Sequence, residues 1–560
     1  MNRILNWCSV LMVSVLLMFS GDICAQKFPN DFSSPLDIPI SLSGSFAELR
    51  SNHFHSGWDI QTQEKEGLKV MSIADGYVSR IKVSAKGYGN AIYITHPQYH
   101  LVSVYGHLSE FKNSLADEVY RLQYEKQSFE LDVAFEPNQF HIVRGAEIGK
   151  SGNSGSSGGP HLHFEIRNQF TEKTIDPSLY GFKVEDISRP LIEFMSFIPK
   201  GSFDNVQRLD FHFAGESFGR EDTLYEVPDT FGVALQVKDF VLDANHPTGV
   251  KQIITLLDGN IISELLFDSL DFNQTKDVNA HVFYPEWSAQ KANVHRCYKL
   301  PNAPQYPFIY LEKDGWVHIK DTMVHAITCL ATDFSGNATC VFAFIKKKKD
   351  EQVQSAAVDA ISWEKGGLLK SEDWSLSIPP NSLYEDTPLN LQYRMKRRVE
   401  DGQFKVDSLL FSITPPSAFA QKIYLSNASK YWRDMPDSIK AKMGLVKLNE
   451  EGSWLGWSKE QDGIGVSKSG QYFLLEDTDG PKVVLIDRDK GSLLVMDNLS
   501  GIKRYNALTK DNTWVMLRYD QKANMLYWDT KKTTDLKTDV LKIQLEDFAG
   551  NKSELTIPIR

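Results

Sequence analysis

The chain has 560 residues, too many for one compact core, so several domains are expected. Hydrophobic residues make up 42% and charged residues 24% of the chain. Because no long biased tract interrupts this balance, the composition excludes a fibrous or disordered protein. The net charge of -11 argues against nucleic-acid binding, since a surface that holds phosphates needs an excess of basic residues.

The first 25 residues have the pattern of a secretory signal peptide. Arg3 precedes an apolar run over residues 10–19, and Ala25 supplies a small residue before the cleavage point. The run is shorter than the roughly 20 apolar residues that a transmembrane helix needs, and no later segment is long enough either. The residues before Cys24 match a lipidation sequence poorly. The sequence therefore predicts a periplasmic or secreted protein with residues 1–25 removed.

Residues 26–184 are predicted to form a first domain that is rich in short strands. Alternation of apolar and polar residues predicts strands over 77–83, 91–95, 129–135 and 161–166. One short amphipathic helix is predicted within residues 109–127, where four apolar residues recur at helical spacing: Phe111, Leu115, Val119 and Leu122. The chemical motifs described below all end before about Val184, so this domain is predicted to fold alone.

The remainder is predicted to be β throughout and to form three modules, at residues 185–350, 351–478 and 479–560. Two turn sequences of one type, Asp333-Phe-Ser-Gly-Asn337 and Asp547-Phe-Ala-Gly-Asn551, lie near the ends of β regions and indicate a repeated module. Short strands with frequent turns favour immunoglobulin-like β-sandwiches for the first and last of these modules. We expect the modules to position the first domain, or to contact a wall or envelope protein.

Three cysteines remain after the signal peptide: Cys297, Cys329 and Cys340. Cys329 and Cys340 flank the first repeated turn and are candidates for a disulfide across a hairpin. A buried free thiol is the alternative. The spacing is not that of a zinc-binding cysteine pair.

Five residues of the first domain are candidates for chemistry. In a strand, residues two apart share a face, so His161 and His163 lie side by side while Leu162 and Phe164 pack into the core. Gly57 makes a helix around residues 55–59 improbable, which places that segment at a strand edge and turn. The candidate site residues are His55, Asp59, His107, His161 and His163.

Histidine and aspartate in this number suit a catalytic zinc ion. Such an ion takes three protein ligands and keeps one position open for water. Two histidines and one aspartate would leave the site with a net positive charge, which acidifies water and polarises a carbonyl group. The two other histidines would then serve as acid–base groups or stabilise an oxyanion.

The order of motifs resembles that of the LytM/lysostaphin-type family of zinc endopeptidases. The resemblance covers about residues 40–180. The matching residues are His-Ser-Gly-Trp-Asp at 55–59, Ala74-Asp-Gly76, Gly87-Tyr-Gly-Asn90, Tyr105-Gly-His-Leu108, Ser151-Gly-Asn-Ser-Gly155, Gly159-Pro-His-Leu-His-Phe-Glu165 and Asp176-Pro177.

This resemblance implies a compact β-sheet fold with a narrow groove. It also implies one zinc ion bound by His55, Asp59 and His163, with His107 and His161 as the catalytic pair. The segment from about Glu110 to His141 is longer than usual in the family and, like Phe46-Ala-Glu-Leu-Arg50, is similar to secreted homologues of the Bacteroidota. We expect this insertion to form part of a groove wall.

The predicted protein is mainly β: a compact peptidase domain with a short helical insertion, followed by immunoglobulin-like sandwiches. Its predicted function is hydrolysis of stem or cross-link peptides in peptidoglycan during cell-wall remodelling. One alternative is a catalytically silent wall-binding activator of other hydrolases. A second is a secreted metalloprotease that acts on proteins.

Overall fold

A computed structural model describes residues 29–201, 205–211, 218–241, 247–290, 292–348, 360–396, 408–448 and 454–559. The predicted signal peptide lies outside these residues. No helix in the described ranges is both long and apolar enough to cross a membrane.

The N-terminal region contains two antiparallel sheets, one α-helix and two short 3-10 helices (Pro97–Tyr99 and Pro177–Tyr180). Strands β1, β2, β11, β6, β5, β4 and β8 follow one another across the larger sheet, and β3, β10 and β7 form the smaller one. The strands are β1 (Leu42–Gly44), β2 (Trp58–Gln61), β3 (Lys69–Met71), β4 (Gly76–Val83), β5 (Asn90–His96), β6 (Leu101–Leu108), β7 (Glu110–Phe111), β8 (Leu131–Ala134), β9 (His141–Ile142), β10 (Glu147–Lys150), β11 (His161–Asn168) and β12 (Thr174–Ile175).

The predicted insertion helix is present as α1 (Ser114–Lys126). Its apolar face buries Leu115 and Val119, while Leu122 is partly buried against the same core. The helix ends where Gln127 adopts a left-handed conformation and donates its backbone N–H to Gln123 and Tyr124 carbonyls. The four predicted strands overlap β4, β5, β8 and β11, which confirms that the period-two patterns predict strands here.

The next segment, which we call the first β unit, contains strands β13–β24, two short α-helices and two 3-10 helices (Phe272–Asp277 and Lys313–Gly315). The strands are β13 (Leu191–Pro199), β14 (Gln207–Asp210), β15 (Phe218–Val227), β16 (Thr230–Lys238), β17 (Gln252–Leu257), β18 (Asn260–Leu266), β19 (Ser269–Leu270), β20 (Val294–Arg296), β21 (Phe308–Leu311), β22 (Val317–His318), β23 (His325–Thr332) and β24 (Ala338–Lys347). The α-helices are α2 (Val278–His281) and α3 (Tyr284–Gln290).

Two further groups of strands complete the described chain. The middle unit contains β25 (Gly367–Ser371), β26 (Trp374–Ile378), β27 (Asn390–Lys396), β28 (Ser408–Asn427), β29 (Met443–Lys447), β30 (Leu455–Ser458) and β31 (Gly463–Glu476), with α4 (Lys430–Asp434) and α5 (Asp437–Lys440). The last unit contains β32 (Lys482–Asp487), β33 (Ser492–Met496), β34 (Ile502–Thr509), β35 (Leu517–Asp520), β36 (Met525–Trp528), β37 (Val540–Asp547) and β38 (Lys552–Pro558), with α6 (Thr530–Asp535).

The first and last β units share a pattern of strand pairing. In the first unit β13 pairs with β16, and β17, β23 and β24 are successive neighbours. In the last unit β32 pairs with β33, and β34, β37 and β38 are successive neighbours. In both units the repeated Asp-Phe-x-Gly-Asn turn leads into the final strand. The mainly β fold is confirmed, while the immunoglobulin-like class and the exact domain boundaries stay predictions.

The three cysteines are free thiols in the structure. In the pairing of β23 with β24, Cys329 lies opposite Val341 and Cys340 lies opposite Leu330. Because neighbouring residues of a strand point to opposite faces, the two sulfur atoms lie on opposite sides of the sheet. Cys329 and Cys340 therefore do not form the disulfide, and the alternative of free thiols applies.

The N-terminal region and the first β unit share one hydrophobic core, which runs from Leu36 to Ile345. Phe54 is fully buried and packs edge-on against Tyr306, with 5.3 Å between ring centroids. Its backbone N–H donates to the carbonyl of Thr275 at 2.9 Å. Strand β12 also pairs with β19. Apolar surface of the first domain is thus covered by the unit that follows it.

This shared core changes the expectation for an isolated first domain. A fragment of residues 26–184 exposes Phe54 and its neighbours to water, so we expect it to aggregate or to unfold at a lower temperature. A fragment of residues 26–348 keeps the shared core and should stay monomeric. Size-exclusion chromatography and thermal unfolding compare the two. A monomeric 26–184 fragment with the melting temperature of the longer one would contradict this expectation.

Candidate active site

Strand β11 lies between β2 and β6 and brings the candidate residues together. His163 is the direct partner of Asp59 on one side and of Gly106, next to His107, on the other. Leu162 and Phe164 point the opposite way into the core, where both are fully buried. The alternation predicted for this strand therefore orients two histidines towards the site.

His55 reaches the same point because the chain passes tightly over β11. A Cβ atom at Gly57 would lie 2.4 Å from the carbonyl oxygen of Phe164, so only glycine fits there. His55 Nε2 lies 3.0 Å from Asp59 Oδ1 and 3.2 Å from His163 Nδ1. His163 Nδ1 lies 2.9 Å from Asp59 Oδ1.

In His55 and His163, the ring nitrogen that points away from Asp59 already forms a hydrogen bond. His55 Nδ1 donates to the carbonyl of Ser45 at 2.7 Å, and His163 Nε2 lies 2.8 Å from Glu165 Oε1. His55 therefore presents Nε2, and His163 presents Nδ1, to the carboxylate of Asp59. One ligand atom from each of the three residues lies within 4.8 Å of the other two. Two imidazole nitrogens and one carboxylate oxygen form a donor set that fits zinc.

Glu165, the last residue of the motif at 159–165, is an additional site residue that its sequence pattern did not single out. It is fully buried and accepts hydrogen bonds from Ser56 Oγ at 2.6 Å and Tyr88 OH at 2.5 Å. Arg167 pairs with its second oxygen at 2.6 Å. Burial opposes ionisation of Glu165, but Arg167 and His163 outweigh it and hold its pKa well below the usual value. The period-two pattern that joined His161 to His163 also extends to Glu165.

Asp59 also forms an ion pair with the guanidinium group of Arg50. Arg50 Nη2 lies 3.1 Å from Asp59 Oδ2, on the side away from the two imidazoles. A Cβ at Gly44 would lie 2.4 Å from that guanidinium nitrogen, so glycine makes room for the pair. Burial raises the pKa of Asp59, but the neighbouring histidines outweigh this effect, and the pKa lies well below the usual value. Asp59 is therefore a carboxylate at neutral pH.

His107 is held in an unusual backbone conformation beside these groups. Its φ of 59° lies in the left-handed region, which residues with a side chain rarely adopt, and which is common at active sites. Its Nδ1 donates to the carbonyl of Ser154 at 2.7 Å, which leaves Nε2 free to accept a proton. Burial, followed by the nearby His163 and His161, lowers the pKa of His107 to about 3. The imidazole is therefore neutral at physiological pH.

His161 stands opposite His107, with 4.7 Å between ring centroids. Its Nδ1 lies 2.9 Å from the carbonyl oxygen of Gly159 and 3.1 Å from Ser157 Oγ. Its Nε2 lies 3.4 Å from Asp59 Oδ1, at the edge of the converging group. All five residues singled out in the sequence thus surround one point.

The glycine-rich loop of residues 151–159 orients both of these histidines and also contacts the last β unit. Lys522, in the turn between β35 and β36, donates to the backbone and side-chain oxygens of Asn153 and to the carbonyl of Ser157 at 3.2 Å. Nearby, Tyr120 and Tyr124 of α1 donate to Asp529 Oδ2 at 2.8 and 2.7 Å. The last unit therefore touches both the insertion and the loop beside the site.

Residues 53–124 match the model of peptidase family M23. This match confirms the resemblance predicted from the motifs and points to a peptidase. The matched segment contains His55, Asp59 and His107 and ends before His161 and His163. No curated protein matches the chain.

Several solved structures are similar to part of this chain. A catalytic-domain variant of the prophage-encoded M23 protein EnpA from Enterococcus faecalis is 23% identical, with 28% of this chain and 98% of that one covered, at a TM-score of 0.20. The catalytic domain of the antimicrobial peptidase lysostaphin from Staphylococcus simulans is 23% identical (26% and 90% covered, TM-score 0.19). A zinc-containing peptidase from Vibrio cholerae is 21% identical (28% and 39% covered, TM-score 0.17).

The hydrogen bond from His163 to Glu165 predicts an effect on metal affinity. A carboxylate behind a ligand histidine fixes its orientation and raises its basicity, so Glu165→Gln should weaken zinc binding about 10- to 100-fold. Glu172→Gln is the matched control, because Glu172 also pairs with Arg167 but is exposed and does not touch His163. Competition with a chromogenic chelator measures both affinities. Equal zinc affinity in the two variants would contradict this role.

Proposed function

We propose that this chain, whose residues 53–124 match peptidase family M23, is an exported zinc metalloendopeptidase that hydrolyses stem or cross-link peptides of peptidoglycan. The observation that carries the proposal is the convergence of His55 Nε2, Asp59 Oδ1 and His163 Nδ1, with two more histidines at its edge. We propose a periplasmic or secreted location, on the basis of the predicted N-terminal signal peptide.

Zinc is the proposed cofactor, and three residues would hold it: His55, Asp59 and His163. When bound, zinc acidifies a water molecule and polarises a carbonyl group. These three side chains are preorganised, because Ser45 and Glu165 orient the two imidazoles and Arg50 orients the carboxylate. Arg50 also balances part of the negative charge of the pair Asp59 and Glu48.

His107 and His161 are proposed to move protons. The Nδ1 atom of each faces a backbone carbonyl, of Ser154 and of Gly159, so Nε2 can take a proton from the attacking water and return it. Hydrolysis adds the water oxygen to the carbonyl carbon, breaks the C–N bond and leaves the proton on the departing amine. Once protonated, either imidazole can also donate a hydrogen bond to the developing oxyanion.

The substrate class is proposed from the family resemblance and from export, which brings the enzyme to the cell wall. The loop of residues 151–159 lies beside the site, and the last β unit contacts both this loop and the insertion helix α1, so these three parts would bound the groove. Such walls favour a thin, extended peptide over a folded protein. The β units are proposed to position the peptidase and to offer a surface to a wall or envelope protein.

Digestion of purified substrates tests the proposal. Zinc-loaded chain from residue 26 should release peptide fragments from purified sacculi, and mass spectrometry of these fragments identifies the bond that is cut. Casein should stay intact. Cleavage of casein with intact sacculi would favour the protease alternative, and binding to sacculi without cleavage would favour the activator alternative.

Single alanine substitutions separate ligands from proton-transfer groups. Replacing His55, Asp59 or His163 removes one of three protein bonds to the metal, so zinc content and hydrolysis should fall together. His107→Ala and His161→Ala should keep near-full zinc but lose roughly 100-fold or more in rate. Elemental analysis beside fragment release measures both quantities.

The exposed His141 provides the control, since His141→Ala should retain both zinc and activity. If His161→Ala loses zinc while His163→Ala keeps it, the roles of these two histidines are reversed.

The contacts of Lys522 predict that the last β unit contributes to the rate of hydrolysis. Lys522 donates to Asn153 and Ser157, in the loop that orients His107 and His161. Lys522→Met keeps the length of the side chain but removes these bonds, and we expect kcat to fall about 3- to 10-fold through a misplaced loop, with KM changed less. Lys522→Arg should restore part of the rate, and Lys510→Met, at an exposed position of the same unit, should change nothing. An unchanged kcat for Lys522→Met would make the contact incidental.

A further inference from the structure

Two clusters of three aspartates lie outside the active site. They are Asp186, Asp239 and Asp333 in the first β unit, and Asp477, Asp497 and Asp547 in the last one. In each cluster one ligand atom of every residue lies within 4.8 Å of the other two.

The two clusters occupy equivalent places in the fold. One aspartate lies on the segment that enters the unit, ahead of β13 or β32. A second follows the partner of that strand, after β16 or β33. The third opens the Asp-Phe-x-Gly-Asn turn before the final strand, β24 or β38. The sequence repeat thus corresponds to a repeated constellation of carboxylates.

The asparagine of each turn holds its cluster together in the same way. Asn337 Nδ2 donates to Asp333 Oδ2 at 2.8 Å and to the carbonyl of Asp186 at 3.3 Å. Asn551 Nδ2 donates to Asp547 Oδ2 at 2.9 Å and to the carbonyl of Asp477 at 2.9 Å. These bonds fix where the carboxylates lie, but they do not neutralise their charge.

Within the described part of the chain, neither cluster has a protein counter-ion for its negative charge. Among the described residues, none of the six aspartates forms a salt bridge with a lysine, arginine or histidine. Asp239 is only 2% exposed, and its Oδ1 atom is buried without a hydrogen-bond partner. In the other cluster Asp497 Oδ2 is also buried without one. Buried charges of one sign are costly unless something pairs with them.

Proximity and burial also alter the acidity of these groups. Burial, followed by the charges of Asp333 and Asp186, raises the pKa of Asp239 to about 7. Burial, opposed by bonds from Asn551 and reinforced by Asp477 and Asp497, raises the pKa of Asp547. In both clusters the carboxylates therefore destabilise one another in their charged form, as ligands of a cation do before it binds.

We propose that each cluster binds one Ca²⁺ ion, so that the chain carries two calcium sites separate from the zinc site. The proposed ligands are oxygens alone, from three carboxylates, and neither cluster includes a histidine or cysteine that a softer metal would prefer. Ca²⁺ tolerates an irregular cage supplied by the protein, whereas Mg²⁺ demands near-ideal octahedral geometry and keeps several waters. This inference does not depend on the proposed peptidase activity.

The position of each site indicates what calcium does. Asp186 follows the N-terminal region, and Asp477 directly follows β31 of the middle unit. A cation held at these points fastens the entry segment of a unit to the turn before its last strand. Calcium would therefore stabilise each unit and stiffen its junction with the preceding part of the chain.

Calorimetric titration of CaCl2 into the zinc-loaded chain from residue 26 tests this inference. We expect two Ca²⁺ per chain with a Kd between about 10 µM and 1 mM, and a rise in Tm of about 5 °C at saturating calcium. Asp239→Asn and Asp497→Asn should each leave one site, and the double variant should leave none. The zinc content should stay the same in all variants, which separates this result from the active site.

The asparagine variants should fold, because each substitution removes a repulsive charge without changing the size of the side chain. Their Tm without calcium should be at least that of the unaltered chain. Asp229→Asn and Asp489→Asn, at exposed positions of the same two units, should keep both sites. The absence of calcium binding at 10 mM CaCl2, or unchanged binding by the double variant, would overturn the proposal. MgCl2 binding as tightly as CaCl2 would overturn the assignment to calcium.

Discussion

The hydrogen-bonding register of β11 between β2 and β6 is the constraint on which the site depends. It sets His163 directly opposite Asp59 and beside Gly106, which precedes His107. A shift by one residue would turn both histidines of β11 into the core and Leu162 and Phe164 out of it. The apolar face of the strand therefore secures the geometry of the proposed metal site, because the free-energy cost of exposing that face opposes a shift in register.

A buried chain of charges extends this constraint behind the site. Arg167 pairs with Glu165, and Glu165 contacts the far nitrogen of His163. All three side chains are buried, so each needs the next as its partner. The chain fixes which nitrogen of His163 faces Asp59. Most of the site is thereby arranged before any ligand arrives.

The parts of the molecule that surround this centre are connected to it. The first β unit covers Phe54, one residue before the proposed ligand His55, and the last unit reaches the glycine-rich loop through Lys522. If both acidic clusters bind calcium, they act at the entries to these same two units. The β units would then restrain the loops beside the site in the N-terminal region.

Much of this could be predicted from local patterns. Period-two alternation identified β4, β5, β8 and β11, and helical spacing identified α1, because these elements each bury one regular apolar face. The same alternation placed His161 and His163 on one face, and the order of motifs selected His55, Asp59 and His107 to accompany them. The repeated Asp-Phe-x-Gly-Asn turn correctly indicated two related β units.

What the sequence by itself determined was therefore the class of fold, the identity of the five candidate residues and the existence of a repeat, which follow from spacing within short segments and from the order of motifs along the chain. Only the tertiary structure decided how distant segments combine. It selected Nδ1 of His163, joined the first domain to the next unit in one core, and assembled each acidic cluster from residues far apart in sequence, such as Asp186, Asp239 and Asp333. These features arise from contacts between strands that are not neighbours in the chain, and local patterns carry no information about such contacts.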